Sequence, residues 1–238
     1  MSLPLGDGAA APRGVAASVL AAYSAHVAAL DVEQVGPVAE SLAERLGQDG
    51  VLHVLGCGHS QLLALEAYYR AGAPAWVAPL IDSRLSPVGG LGCTFAERRP
   101  GLGAELVSRL AAPAMRARAL LVISVSGRAA VPVEAARAGR DLGLLTIALI
   151  GGEPGNRLVG VVDHHLRSGV PPGDAAVDVG GTLMAPQSTV VGAVLLHALL
   201  AETEARRVQP AVVVSVNVDG GMARNQALLE RYPHLAPV

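Results

Sequence analysis

The chain has 238 residues, 51% of them hydrophobic, and a formal net charge of −2. That length holds one α/β domain with a full core and is too short for two large ones. Near-neutral charge removes the simplest electrostatic reason to bind nucleic acid or an anionic membrane, so neither is expected as a partner.

Two cysteines, Cys57 and Cys93, make neither a disulfide framework nor a zinc set. The opening residues lack a charged segment followed by an apolar one, so no secretory signal is read. The apolar stretch Val190 to Ala201 is too short to span a bilayer and contains His197. The expected compartment is the cytoplasm. All 18 basic residues are arginines. A chain without lysine forms no side-chain Schiff base with a ketose or pyridoxal phosphate and supplies no P-loop lysine. No cofactor is expected.

In chain order, residues 1–14 read as a loose arm, and residues 15–238 as a single domain. Val15–Leu30 and Val35–Leu46 carry apolar residues at helical spacing. Val51–Leu55 is an apolar strand that stops at glycine, followed by a helix over Ser60–Ala71. Trp76–Leu80 is a weaker strand pattern, and Arg84–Pro100 reads as a loop or lid. Gly101–Leu110 is helical, Ala119–Ile123 a buried strand, Val131–Leu142 a helix and Leu144–Ile150 a third buried strand. Val161–Leu166 fits a further strand, Gln187–Arg206 a long helix, and Ala211–Val216 a last strand. Strands that are apolar throughout and alternate with amphipathic helices predict a parallel sheet covered on both faces, with ligands at the strands' carboxyl ends.

Three strand-end loops stand out. Gly56-Cys57-Gly58-His59-Ser60 follows a strand and opens a helix; its glycines allow close backbone approach, and free helix N–H groups favour an anion. The third glycine of a dinucleotide fingerprint is absent. Ser124-Val125-Ser126-Gly127-Arg128 sets two hydroxyls and a glycine at a second helix start. Pro186-Gln187-Ser188-Thr189 opens the long helix. Each loop taken alone is equally an ordinary turn or N-cap. Their recurrence at separate strand ends points to a shared anion site.

These motifs resemble the sugar isomerase (SIS) domain, whose members include phosphoheptose isomerase, the isomerase domain of glucosamine-6-phosphate synthase and N-acetylmuramic acid 6-phosphate etherase. A closer likeness, to a further branch of SIS proteins, rests on Gly58-His59-Ser60, Tyr69-Arg70-Ala71-Gly72, Ser126-Gly127-Arg128, Gly173-Asp174-Ala175, Ser188-Thr189 and Ser215 to Gly221. The resemblance implies a three-layer αβα sandwich with a five-stranded parallel sheet, and N-terminal helices packed on it or on a partner subunit. It also implies a sugar-phosphate ligand and a homodimer or higher homo-oligomer with sites at subunit interfaces. Carried over by motif, Ser60, Ser124, Ser126 and Ser188 hold phosphate. Gly58, Gly127, Arg128, Gln187, Thr189, Asn217 and Asp219 complete the expected binding set. Val125 replaces an amide that often points at the ligand, and Ala129 replaces a phosphate-binding hydroxyl. Val190 stands where phosphoheptose isomerases have a helix histidine, which argues against heptose isomerisation.

Sugar-phosphate isomerases and eliminating lyases both remove a weakly acidic proton beside a carbonyl. His59, Glu66 and Arg70 share one face of the expected helix. Burial near substrate would raise the pKa of Glu66, as a base requires; a salt bridge to Arg70 is the competing reading, and for His59 a helix-start hydrogen bond. His164 and His165 point opposite ways on a strand and do not form a metal site, so no metal is expected. Asn217 and Asp219 alternate to the same side past a strand end, as site or as turn. The expected chemistry is C2 deprotonation of an N-acetylated hexosamine 6-phosphate followed by elimination. Aldose–ketose isomerisation or epimerisation, and non-catalytic sugar-phosphate sensing, are the alternatives.

Overall fold

The computed structural model describes residues 14–152 and 154–236. The arm expected over residues 1–14 lies, apart from Gly14, outside them. The sheet strands are β1 Val51–Gly56, β2 Val77–Pro79, β3 Ala117–Ser124, β4 Leu145–Ile150 and β5 His164–Arg167. All are parallel, in the order β2-β1-β3-β4-β5. An antiparallel hairpin follows, β6 Ala175–Val179 and β7 Thr182–Pro186. The helices are α1 Val15–Ala28, α2 Val35–Leu46, α3 Ser60–Glu66, α4 Leu91–Ala96, α5 Leu102–Ser108, α6 Ala130–Asp141, α7 Ser188–Ala205 and α8 Gly221–Arg231.

The strands are apolar on both sides because both sides are covered. In β3, Ala119, Leu121 and Ile123 join the cluster built with α2, α3 and α7. Leu120 and Val122 face the cluster built with α5 and α6. This is the three-layer αβα arrangement. By length and composition α7 could cross a membrane, yet Val191, Leu195, Leu196, Leu199 and Leu200 are buried, the four leucines within the first of these clusters.

Several boundaries move. The helix expected over Ser60–Ala71 ends at Glu66, because the chain turns through left-handed Tyr69 (φ 42°) and Gly72 (φ 87°). The strand expected over Val161–Leu166 begins at His164; Asp163 instead accepts hydrogen bonds from the Thr146 backbone and hydroxyl, both 2.8 Å. Arg84–Pro100 contains α4 and is not a plain loop. Ala211–Val216 is not a sheet strand. It makes one isolated antiparallel bridge, Pro74 to Val212, and the side-chain amide of Asn225 then takes both the N–H and the carbonyl of Val214 (2.9 and 2.8 Å), ending the ladder.

A polar hub lies beside the first apolar cluster. Glu204 on α7 accepts from the Trp76 indole at 2.6 Å and from the Ala211 N–H at 2.5 Å. Arg207, whose side chain is 2% exposed, lies over Trp76 and donates to the Gly47 and Gln48 carbonyls and the Tyr232 hydroxyl. The cost of burying this guanidinium is offset by these hydrogen bonds and by the Glu204 carboxylate, 3.5 Å from its Nε; that Nε has no hydrogen-bond partner among the described residues.

His53, in the middle of β1, is 1% exposed. Its Nε2–H donates to the Met115 carbonyl at 3.2 Å, and its Nδ1 has no partner among the described residues. Burial disfavours the imidazolium and pushes the pKa from 6.5 down to about 4. The folded state therefore holds His53 neutral where the unfolded chain is already protonated. Its contribution is complete above pH 6.5 and falls as pH drops toward 4, by about 3 kcal/mol. Denaturant unfolding at pH 7 and pH 4.5 should show this loss in the wild type and a smaller one in His53→Phe; equal losses in both would count against it.

Candidate functional site

In the strand order β2-β1-β3 the chain steps one way from β1 and returns on its other side, so the crevice between the ends of β1 and β3 is the sheet's switch point. Gly56 pairs with Ile123, which sets the two following loops side by side.

The loop after β1 doubles back at once into α3. A Cβ on Gly56 would lie 2.2 Å from the Ser60 carbonyl oxygen, so the turn requires glycine there. Gly58 is left-handed (φ 57°) and donates its N–H to the Leu85 carbonyl at 2.9 Å. Ser60 is half-buried, with no side-chain hydrogen bond among the described residues. His59 is exposed and makes no cap hydrogen bond, so the helix-start bond weighed against a catalytic role for it is absent. Burial pushes the Cys57 thiol up to about 12, which keeps it protonated and unsuited to nucleophilic attack.

In the loop after β3, the Ser124 hydroxyl oxygen accepts from the Gly127 N–H at 3.2 Å, leaving its own hydrogen to donate. Ser126 is half-buried with no hydrogen bond from its hydroxyl among the described residues. Gly127 (φ 57°) abuts Asn156 so closely that a Cβ would fall 1.8 Å from Oδ1. Arg128 is exposed, and its carbonyl accepts from Arg157 at 3.3 Å.

The third loop differs from expectation. Asp174, left-handed at φ 64°, accepts from the N–H groups of Gln187 (3.1 Å) and Ser188 (2.6 Å) through one oxygen. The Ser188 hydroxyl donates to the other at 2.6 Å. The start of α7 thus already holds an anion, and Ser188 has no hydrogen left to give a phosphate. Gln187 is buried, its Oε1 2.7 Å from His26 Nδ1. Thr189 is half-buried with no side-chain hydrogen bond among the described residues. The loop adjoins the second one through Gly151 N–H to Val125 and Gly152 N–H to Val170, four residues before Asp174.

Glu66 and His59 stand at opposite ends of α3. The Glu66 carboxylate is 37% exposed, not buried, and pairs with Arg70. It also meets His197 Nε2 of α7 at 3.2 Å. Periodicity within one helix gave no sign of His197, because the contact joins two helices 131 residues apart. Asn217 and Asp219 are exposed in the turn before α8, and no hydrogen bond among the described residues ties them to the strand-end loops. Among the described residues no group of three or more His, Cys, Asp or Glu could hold a metal.

A family model described as SIS domain matches residues 17–151, a span that includes β1 to β4 and both glycine-serine loops. A UPF0309 protein of Listeria monocytogenes serotype 4b is 31% identical over 225 residues, covering 87% of this chain and 90% of that one. A UPF0309 protein of Brucella canis is 32% identical over 219 residues, covering 85% and 90%. Among solved structures, phosphoheptose isomerase from Neisseria gonorrhoeae superposes with a TM-score of 0.54 at 21% identity, over 81% of this chain and 96% of that one. An E. coli CFT073 protein in complex with a sugar phosphate superposes at 0.52 with 16% identity, over 84% and 94%. With more than half of its length under the family model and the same sheet in these structures, the chain belongs to the SIS domain family.

Proposed function

We propose that the chain is a phosphosugar enzyme that grips phosphate in the crevice between β1 and β3 and removes the proton at C2. The observation that carries this reading is the pairing of two glycine-serine loops at the sheet's switch point, with the hydroxyls of Ser60, Ser124 and Ser126 able to donate. The complex of the E. coli CFT073 protein, which has the same fold, supports a sugar phosphate as the ligand class. Gly58 and Gly127 let the backbone approach the phosphate, and Arg128 and Thr189 lie at the rim.

Glu66 lies about 9 Å along α3 from Ser60, a span of the size of an extended hexose phosphate. In this reading its carboxylate takes the C2 proton and the electron pair passes into the C1 carbonyl as an enolate. When the enolate collapses, the C3 hydroxyl leaves as water with a proton from His197, the C2=C3 bond forms and the C1 carbonyl returns. An N-acetylated amino sugar favours this elimination, because acylation blocks the ordinary amino-aldose to ketose route. A second reading, isomerisation by reprotonation at C1, draws support from the phosphoheptose isomerase neighbours. Incubation with hexose and hexosamine 6-phosphates, read by mass spectrometry, separates them: loss of about 18 mass units, one water, marks elimination, and unchanged mass with altered retention marks isomerisation. Binding without turnover would make the chain a sensor.

Ser126→Ala or Ser124→Ala should each remove a charge-assisted hydrogen bond worth roughly 1.5–3 kcal/mol, or about 10- to 150-fold in affinity. Ser188→Ala should change affinity only a fewfold, since its hydroxyl is committed to Asp174. Calorimetry showing the reverse order would move the phosphate to the start of α7.

Glu66→Gln keeps shape but cannot take a proton. Turnover should fall by roughly 10²–10⁴, and exchange of the C2 hydrogen with deuterated water should stop. If Glu66 only braces Arg70, the variant loses thermal stability and keeps exchange at the wild-type rate.

Copies of the chain are expected to associate. Helix α1 is apolar around its circumference yet has no buried residue, and Leu20, Val190 and Val194 are exposed. Light scattering should report at least a dimer; a monomer at micromolar concentration would overturn this.

A further inference from the structure

At the opposite edge of the sheet, where β1 and β3 begin, lies a cleft of about 940 Å³. Its wall includes Arg45, Arg116 and Arg118, and the exposed Leu142. None of the three arginines is paired with a carboxylate among the described residues. Arg45 donates one N–H to the Gly143 carbonyl, and Arg116 one to the Arg231 carbonyl at 2.7 Å. Arg118 has no hydrogen bond or ion pair among the described residues. Each guanidinium carries five N–H donors, so most of this donor capacity is unused. The one acidic residue in the wall, Asp49, lies 3.5 Å from Arg231 Nε.

Two backbone irregularities flank this cluster. Arg116 is left-handed, with φ 46°, an uncommon state for a residue with a Cβ. Between Val51–Ala117 and Leu52–Ala119 the register slips, which leaves Arg118 as the extra, unpaired residue of a bulge. A bulge leaves its extra residue out of the ladder and re-aims that residue's side chain. The stem of Arg118 is held as well: a Cβ on Gly50 would lie 2.4 Å from Arg118 Cγ, so Gly50 leaves room for that stem. The C-terminal ends of α2 and α6 reach the same cleft, and their carbonyls would repel an anion. The Gly47, Gln48 and Gly143 carbonyls, however, already accept from Arg207 and Arg45.

We propose that this cleft is a second binding site, separate from the strand-end loops, for a small molecule carrying a diphosphate. Three unpaired guanidiniums match the charge of two linked phosphates better than that of one, since a phosphate monoester carries about −1.5 to −2. Planar guanidinium groups also bind phosphate oxygens in pairs. The volume lies at the upper end of the range usual for small-molecule sites, and Leu142, 42% exposed, offers an apolar contact to whatever the diphosphate is attached to. The six residues of β1 put roughly 20 Å between this cleft and the switch-point crevice, so both sites can be filled at once.

The test is calorimetric titration of the full chain with inorganic pyrophosphate and with ADP, on the wild type, Arg118→Gln, Arg45→Gln and Ser126→Ala. Wild type should bind both probes, and Arg118→Gln should weaken them at least tenfold with an unchanged unfolding temperature. Arg45→Gln should act in the same direction and decides the matter if Arg118→Gln folds poorly. Ser126→Ala should leave pyrophosphate affinity as it was. The proposal fails if the wild type binds neither probe, or if binding survives both arginine changes. It also fails if Ser126→Ala rather than Arg118→Gln abolishes binding, which would place pyrophosphate in the strand-end loops. Loss of sugar-phosphate binding in Ser126→Ala with pyrophosphate binding retained would uphold both sites independently.

Discussion

Everything at the carboxyl edge of the sheet depends on two close approaches that admit no side chain. At Gly56 the chain turns back so tightly that the Ser60 carbonyl takes the space of a Cβ, and at Gly127 the Asn156 amide does the same. Asn156 is buried; its Nδ2 donates to the Val125 carbonyl at 3.3 Å and its Oδ1 accepts from the Leu158 N–H at 3.0 Å. It therefore locks the second loop onto the segment after β4. Strands buried on both faces have their backbone groups committed to the ladder. Polar groups free for a ligand arise only where the ladder stops, and these contacts fix how it stops.

The opposite edge is governed by the chain's lack of lysine. In a parallel α/β fold the helix C-termini gather at the strands' amino ends, where cations are favourable. Arginine meets this need at several helix ends: Arg45 at Gly143 after α6, Arg116 at Arg231 of α8, and Arg207 at Gly47 after α2. A planar fork can cap a carbonyl with one N–H and keep others for a second partner, as Arg207 does with Gly47, Gln48 and Tyr232. The same property leaves guanidinium N–H groups of Arg45 and Arg116 available toward the cleft.

Much of the fold was legible because its signals are periodic. The runs at Val51, Ala119 and Leu144 could only be strands covered on both faces, and the stripes of α2 and α6 gave the layers. What was missed is short or non-local. The β6–β7 hairpin turns through Gly180 and Gly181, both at positive φ, and a Gly-Gly pair between two brief apolar runs is a readable hairpin signal. The Val-rich stretch from Ala211 does look like a strand, but Asn225 from a later helix takes the backbone bonds of Val214, and no local pattern announces that. In the candidate site, the two glycine-serine loops were readable from their place after apolar strands. His197 was not, since its meeting with Glu66 is a matter of how α3 and α7 pack. The shared helical face expected for His59 and Arg70 failed for a local reason: α3 stops before Arg70, at a left-handed tyrosine.

Asp174 shows how a motif transferred by sequence can fall on a helix start whose donors are already committed. Ser188 opens a helix, sits beside the candidate site and carries a hydroxyl, which is all a phosphate ligand needs by sequence. Yet an internal carboxylate takes its hydroxyl hydrogen and its N–H. A second anion at that helix start would face a fixed negative charge in place of free donors. In the function proposed above, phosphate goes instead to the crevice between β1 and β3, where hydroxyl hydrogens remain. The same proposal leaves the α7 side of the crevice to groups that tolerate or donate to a carboxylate, such as sugar hydroxyls. The polarity proposed for the ligand, phosphate toward the loops and hydroxyls toward α7, rests on which of two serine-bearing helix starts the protein has already filled with its own aspartate.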